Sequence, residues 1–347
     1  MTSRREFLCS STLALSAAGL ASVSRWASAF AGSASDRISI SESFVTPQWL
    51  SAMADVTASG TNSADTAFWR TWQAGGASML DRARHAAATA DDLTLLTLPA
   101  PGLEPFDARR ARYLATHAND QLAEVIAASR GRMAGLATVA AFDAAAAREA
   151  ERAIRQLGLA GISLGANRGL RLDHHSLRPI YEFANAARVP IYLPAAYAPQ
   201  AGETPYRAAG RAGVITGAAA DSGNHATQLI FGGVLDAYPS LIVVIARLGE
   251  GAPYWYGTVQ DTYAALKNSG GASPKRPAHE YFRDNILLTT SGMSADTLQY
   301  CSAMLGNGRV LWSREPSGGQ LLADAGRAGL NVRRLTGMES SSLLRSA

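Results

Sequence analysis

Eight short aliphatic runs, each followed by a helix-like block, predict an α/β protein of the (β/α)8 or TIM-barrel class. Two further observations support that class. The run Leu241–Ile245 (LIVVI) has no polar alternation, as expected of a strand buried on both faces in a parallel sheet with helices outside. Charge appears only beyond its C-terminal end, at Arg247 and Glu250, and that is the end at which parallel α/β folds carry their chemistry. A doubly wound open sheet is the runner-up. It would want a Gly-rich phosphate turn after an early strand, whereas the first strand here leaves through Phe44-Val45-Thr46-Pro47.

Residues 1–29 stand outside the pattern. Ser3-Arg4-Arg5-Glu6-Phe7-Leu8 is a twin-arginine export motif, followed by a small-residue apolar region and by Ala27-Ser28-Ala29, a cleavage site. The competing reading is a basic N-terminus with an incidental arginine pair. The apolar part is too short and too alanine-rich to span a bilayer, so the expected mature chain has no membrane span and resides in the periplasm. Cleavage removes Arg4, Arg5, Arg25 and Glu6, which takes the formal net charge from +4 to +2. A nearly neutral protein gives no case for nucleic acid. Cys9 leaves with the signal and Cys301 remains without a partner, so no intramolecular disulfide is expected.

Residues 30–347 read as a single domain. Candidate strands are Arg37–Ser43, Leu93–Leu98, Met133–Val139, Ala160–Leu164, Val189–Leu193, Leu241–Ala246, Asn285–Thr290 and Arg309–Ser313. Helical blocks are expected at Ala64–Ala88, Asp107–Ser129, Ala144–Leu157, Ser176–Ala187, Ala218–Tyr238, Pro253–Lys267, Ala295–Leu305 and about Gly319–Ala328. Asn268–Ser273 reads as a surface loop, and Tyr254, Trp255 and Tyr256 as aromatics packing the start of a helix.

The segment FGGVLDAYPSL (Phe231–Leu241) followed by LIVVIARLGEGAPYW (Leu241–Trp255) resembles the amidohydrolase-related family of metal-dependent-hydrolase-like barrels. The resemblance is to the branch of the aminocarboxymuconate-semialdehyde and gamma-resorcylate decarboxylases, whose members read LFDRFPKL, an aliphatic strand and GHMGEGLPYW. Leu98-Pro99-Ala100-Pro101-Gly102, Ala118-Asn119-Asp120, Gly135-Leu136-Ala137, Leu157–Ile162, Leu172-Asp173, Val189–Leu193, His225-Ala226 and Thr289–Gly292 extend it in order over most of the mature chain.

The resemblance implies a divalent metal at the barrel mouth, held by Glu-x-His on strand one, a histidine ending strand five and an aspartate after strand eight. The histidine and glutamate of GHMGE on strand six assist. In this chain the corresponding positions read Ser41 and Ser43, Pro194, and Arg314 or Glu315, with Arg247 for the strand-six histidine and Glu250 retained. Nearly every ligand of that set is thereby lost, with only carboxylates left among the donors that zinc or manganese requires, so the expectation is no metal and no other cofactor. In its place two cations and two anions converge on the mouth. Arg247, Glu250 and Glu315 are the candidate catalytic residues, and Ser41, Ser43, His225 and Arg314 the candidate substrate contacts. A guanidinium at the metal's place would hold a small carboxylate ligand bidentately. Alternatively the four charges pair with one another and fill an abandoned cavity.

His85 and His117 fall on helical blocks, His174 and His175 in a loop that would need a bend for both to point one way, and His279 in a Pro-rich connection. Gly161-Ile162-Ser163-Leu164-Gly165 fits the Gly-x-Ser-x-Gly pattern, but it lies within a strand and not at a strand–turn–helix elbow. Two functions remain open. One is a metal-independent carbon–carbon lyase (a decarboxylase) or hydrolase-like enzyme on a small aromatic or unsaturated carboxylic acid. The other is a non-catalytic barrel that binds a small ligand or a protein partner. The resemblance also implies a homodimer.

Overall fold

The computed structural model describes residues 38–41, 44–58, 93–99, 102–129, 133–165, 170–194, 223–249, 252–269, 274–290, 294–305 and 309–313. The expected signal segment, the helical blocks Ala64–Ala88 and Gly319–Ala328, and His85 lie outside these residues.

Eight parallel strands close on themselves in sequence order. They are β1 (Ile38–Ser41), β2 (Leu93–Leu96), β3 (Met133–Thr138), β4 (Gly161–Ser163), β5 (Ile191–Leu193), β6 (Val243–Ile245), β7 (Ile286–Thr289) and β8 (Val310–Ser313). The last closes on the first, with Ser39 beside Trp312 and Ile40 beside Ser313. Each of the eight runs found in the sequence is therefore a strand, trimmed by one or more residues. Outside lie α1 (Pro47–Ala58), α2 (Ala108–Ala128), α3 (Ala146–Arg155), α4 (Arg178–Ala187), a helical stretch at 223–231, α5 (Val234–Ala237), α6 (Tyr256–Asn268), α7 (Ala278–Asp284) and α8 (Ala295–Leu305).

The barrel separates two apolar sets by strand alternation. Leu96, Ala137, Ile162, Ile191, Ile245 and Leu288 point outward into the layer shared with the helices. Leu95, Leu136, Tyr192, Val244, Leu287 and Leu311 fill the interior. Both faces are apolar, which is why the strands show no period-two signal in the sequence.

Polar side chains cap the helices and tie them to strand ends. Asp107 caps α2, its side chain accepting from the Arg110 N–H at 2.9 Å. Asn119 on the same helix is fully buried. Its amide oxygen accepts from the Thr138 N–H (2.8 Å) and its Nδ2 donates to Thr138 O (3.0 Å) and to Glu149 Oε1 (2.7 Å). One side chain thus clamps the C-terminal end of β3 to α2 and α3. On α5, Asp236 accepts from the Tyr281 hydroxyl and, at 3.0 Å, from the Lys275 N–H, and the Arg276 guanidinium lies over the Tyr281 ring.

Five local expectations are corrected. Pro47 does not continue an exit loop: Thr46 Oγ1 accepts from the Trp49 N–H (3.2 Å), and Pro47 opens α1. His279 stands on α7 and not in an irregular connection. The block expected over Ala218–Tyr238 is interrupted at Gly232–Gly233, where Gly233 takes φ 72° and a side chain at Gly232 would collide with Asp173. Helix α6 begins only at Tyr256, so Tyr254 and Trp255 remain exposed, and Tyr254 stacks on Tyr300 at 4.8 Å. Asn268 still belongs to α6 with Ser269 capping it, and residues 270–273 lie outside the description.

Candidate functional site

The interior set forms an apolar floor. Toward the C-terminal ends of the strands the same inward faces turn polar. Thr97 lies between the outward Leu96 and Leu98, Thr138 between Ala137 and Val139, and Ser163 between Ile162 and Leu164, while Thr289 follows the outward Leu288. Alternation therefore sends all four hydroxyls inward. All four residues are buried. Thr138 and Ser163 are register partners on β3 and β4. Thr97 Oγ1 is fully buried and has no hydrogen-bond partner.

Across the mouth from these three stands Arg247. The strand ends at Ile245, and Arg247–Gly249 forms a single 3-10 turn, with the Gly249 N–H donating to Ala246 O (3.0 Å) and the Ala252 N–H to Gly249 O (2.9 Å). Arg247 adopts φ 54°, a left-handed conformation that costs a non-glycine residue about 1–3 kcal/mol. Its backbone N–H donates to Thr289 Oγ1 at 3.2 Å, which fixes it at the rim beside an inward hydroxyl of β7. The residue is half-buried. Glu250, Arg314 and Glu315, its expected companions, lie outside the described residues, as does Ser43.

Two positions that the resemblance gives to metal-site residues are described in full. Pro194 is buried after β5 and its side chain has no donor atom to offer, and Arg247 brings a permanent cation. Ser41 ends β1 in register with Leu96, one of the outward residues, while Ile40 stands beside the interior Leu95. Among the described residues no group of three or more His, Cys, Asp or Glu is placed to hold an ion.

His225 lies in the first turn of the helical stretch 223–231. Its Nδ1 is fully buried without a partner, and burial pushes the imidazole down to about 4, so the ring is neutral at pH 7. None of the other described histidines lies on a strand. His117 packs edge-on to Tyr113 on α2. His174 and His175 do lie ring to ring at 4.2 Å, because His174 is extended and caps the short 3-10 turn His175–Leu177, which supplies the bend. Cys301 is buried and its thiol is pushed up to about 11, an inert side chain. Ser163 ends a strand with no helix directly after it, so the Gly-x-Ser-x-Gly pattern is not an elbow here.

Known proteins decide the family. The Amidohydrolase family matches residues 49–286, more than half of the chain. The chain belongs to the amidohydrolase family. This amidohydrolase is 32% identical over 235 residues to the gamma-resorcylate decarboxylase of a Polaromonas species, covering 64% of this chain and 71% of that one. It is 29% identical over 232 residues to the gamma-resorcylate decarboxylase of Rhizobium radiobacter, with the same coverage. Among solved structures, the 5-carboxyvanillate decarboxylase of Novosphingobium aromaticivorans superposes with a TM-score of 0.77 at 28% identity, over 89% of this chain and 96% of that one. That structure holds manganese and 4-hydroxy-3-methoxy-5-nitrobenzoic acid. The family match takes in β2 to β6 and leaves Ser41, Ser43, Arg314 and Glu315 outside it.

The sequence reading singled out Arg247, which the structure places just after β6, and did not single out Thr97, Thr138 or Thr289. Nothing in an all-apolar parallel strand says which face is inward, and Thr97, Thr138 and Thr289 pass for ordinary β-formers. Only the register identifies them.

Proposed function

We propose that this amidohydrolase binds a small aromatic carboxylic acid at the barrel mouth and acts on it as a carboxy-lyase that works without the divalent ion of its relatives, after export to the periplasm. The observation that carries the reading is Arg247, a cation held at the rim of β6 by its bond to Thr289, in a family whose similar members are named as decarboxylases of aromatic acids. A guanidinium suits a carboxylate, and the apolar floor suits a ring. In such a reaction the ring carbon that bears the carboxylate takes a proton, the carbon–carbon bond breaks, its electron pair returns to the ring and carbon dioxide leaves. Arg247 would orient the carboxylate, and Glu250 or Glu315 would deliver the proton.

One physical point favours a second reading, a barrel that binds such an acid without turning it over. An arginine paired with the departing carboxylate stabilises the ground state as much as the transition state, and that interaction strengthens binding without raising the chemical rate. The inward strand ends described here also carry hydroxyls, which are poor proton donors beside a carboxylic acid.

The test is calorimetric titration of the mature protein with a panel of benzoic acids, together with measurement of carbon dioxide release, with and without a chelator. Chelator-independent release supports the lyase; binding without release supports the second reading. Wild-type protein that binds none of the acids overturns both.

A further inference from the structure

We infer that Thr97, Thr138 and Ser163 form a neutral hydrogen-bonding subsite across the mouth from Arg247, which takes an uncharged hydroxyl of the ligand while Arg247 takes its carboxylate. The inference rests on the carboxylate reading above and adds the second point of recognition.

The three residues lie on consecutive strands, β2, β3 and β4, and Arg247 follows β6 in the order of the closed barrel. The outward packing of their neighbours turns each of the three inward, above the apolar floor. A buried hydroxyl ordinarily finds a partner, because leaving one unpaired costs about 1–3 kcal/mol. Thr97 Oγ1 has none. A packing role alone would be served better by valine, which has the same shape and no polar atom to desolvate. The orphaned hydroxyl, set beside the register pair Thr138 and Ser163, accounts for itself once a ligand hydroxyl completes it. Serine and threonine hydroxyls both donate and accept, so the arc suits a neutral hydroxyl or carbonyl and gives no compensation to a second negative charge.

The experiment compares benzoate with 2-, 3- and 4-hydroxybenzoate by calorimetry on wild type, Thr97→Val and Ser163→Ala. Wild type should prefer at least one hydroxybenzoate over benzoate. Thr97→Val should lower that affinity about fivefold, the worth of one neutral hydrogen bond, leave benzoate unchanged and melt no lower than wild type. Ser163→Ala gives the same discrimination should Thr97→Val fold poorly. If benzoate and all three hydroxybenzoates bind wild type alike, or if the preference survives both substitutions, the subsite is overturned while the carboxylate reading stands. If wild type binds none of the four, the carboxylate reading falls and takes the subsite with it.

Discussion

The backbone N–H of Arg247 and the hydroxyl of Thr289 meet at 3.2 Å, joining the turn after β6 to the inward face of β7. That bond, with the turn bonds at Gly249 and Ala252, holds an arginine in the left-handed region. A left-handed backbone at a non-glycine residue is a cost that these bonds offset.

Arg247→Gly and Arg247→Ala both delete the guanidinium, but only glycine is at ease at φ 54°. The glycine variant should be more stable than the alanine variant by about 1 kcal/mol, and neither should bind an aromatic carboxylate. Thermal melts and calorimetry check this. An alanine variant that binds as wild type does would place the guanidinium outside the ligand site.

Asn119→Ala should cost about 2–4 kcal/mol, because it strands the Thr138 N–H and C=O and leaves Glu149 to Arg152 alone on that side. Urea melts of the variant measure it. A change under about 0.5 kcal/mol would mean that water replaces the amide.

His225 makes stability depend on pH. Its folded value is near 4 and its unfolded value near 6.5, so below 6.5 the unfolded chain takes up a proton that the folded chain refuses. Stability should be fully present above 6.5 and fall as pH is lowered toward 4, by up to about 3 kcal/mol. His225→Phe should flatten the melting temperature across that window.

Periplasmic protein should contain less than one zinc or manganese per chain by elemental analysis, and a chelator should leave its melting temperature unchanged. The reason is the donor chemistry of Pro194 and Arg247. One tightly held ion per chain, with a chelator-induced drop in melting temperature, would overturn the metal-free reading.

Replacing Arg4 and Arg5 together by lysine should leave an uncleaved precursor in the cytoplasm, since twin-arginine recognition reads that pair. Fractionation with N-terminal sequencing checks it. Normal processing before Phe30 in the double variant would show another export route.

The barrel was legible because long apolar runs in a parallel sheet are hard to mistake, and every strand from Ile38 to Ser313 falls within a run found beforehand. Helix α1 was missed although its signal was present: Thr46 followed by Pro47 is a cap and first-turn pair, read instead as a strand exit. Helix α7 was hidden by Pro274 and Pro277, which flank a helix too short to show a period. At the site, Arg247 announced itself as charge at the end of an aliphatic run. Thr97 and Thr138 did not, and Ser163 stood out only through the Gly-x-Ser-x-Gly pattern, because facing is a property of register with a neighbouring strand and has no trace in a single strand's composition.

Closure of the barrel has a consequence for how the chain reaches this state. Ser39 must find Trp312, with almost the whole described chain between them. Loop-closure entropy makes such a pairing slow and late, so a folding intermediate is expected with β2 to β7 assembled and the seam still open. Until the seam shuts, the backbone N–H and C=O groups along β2 and β7 are unpaired edges, which recruit other chains. Truncation at either end should therefore produce aggregates before it produces a merely weaker barrel.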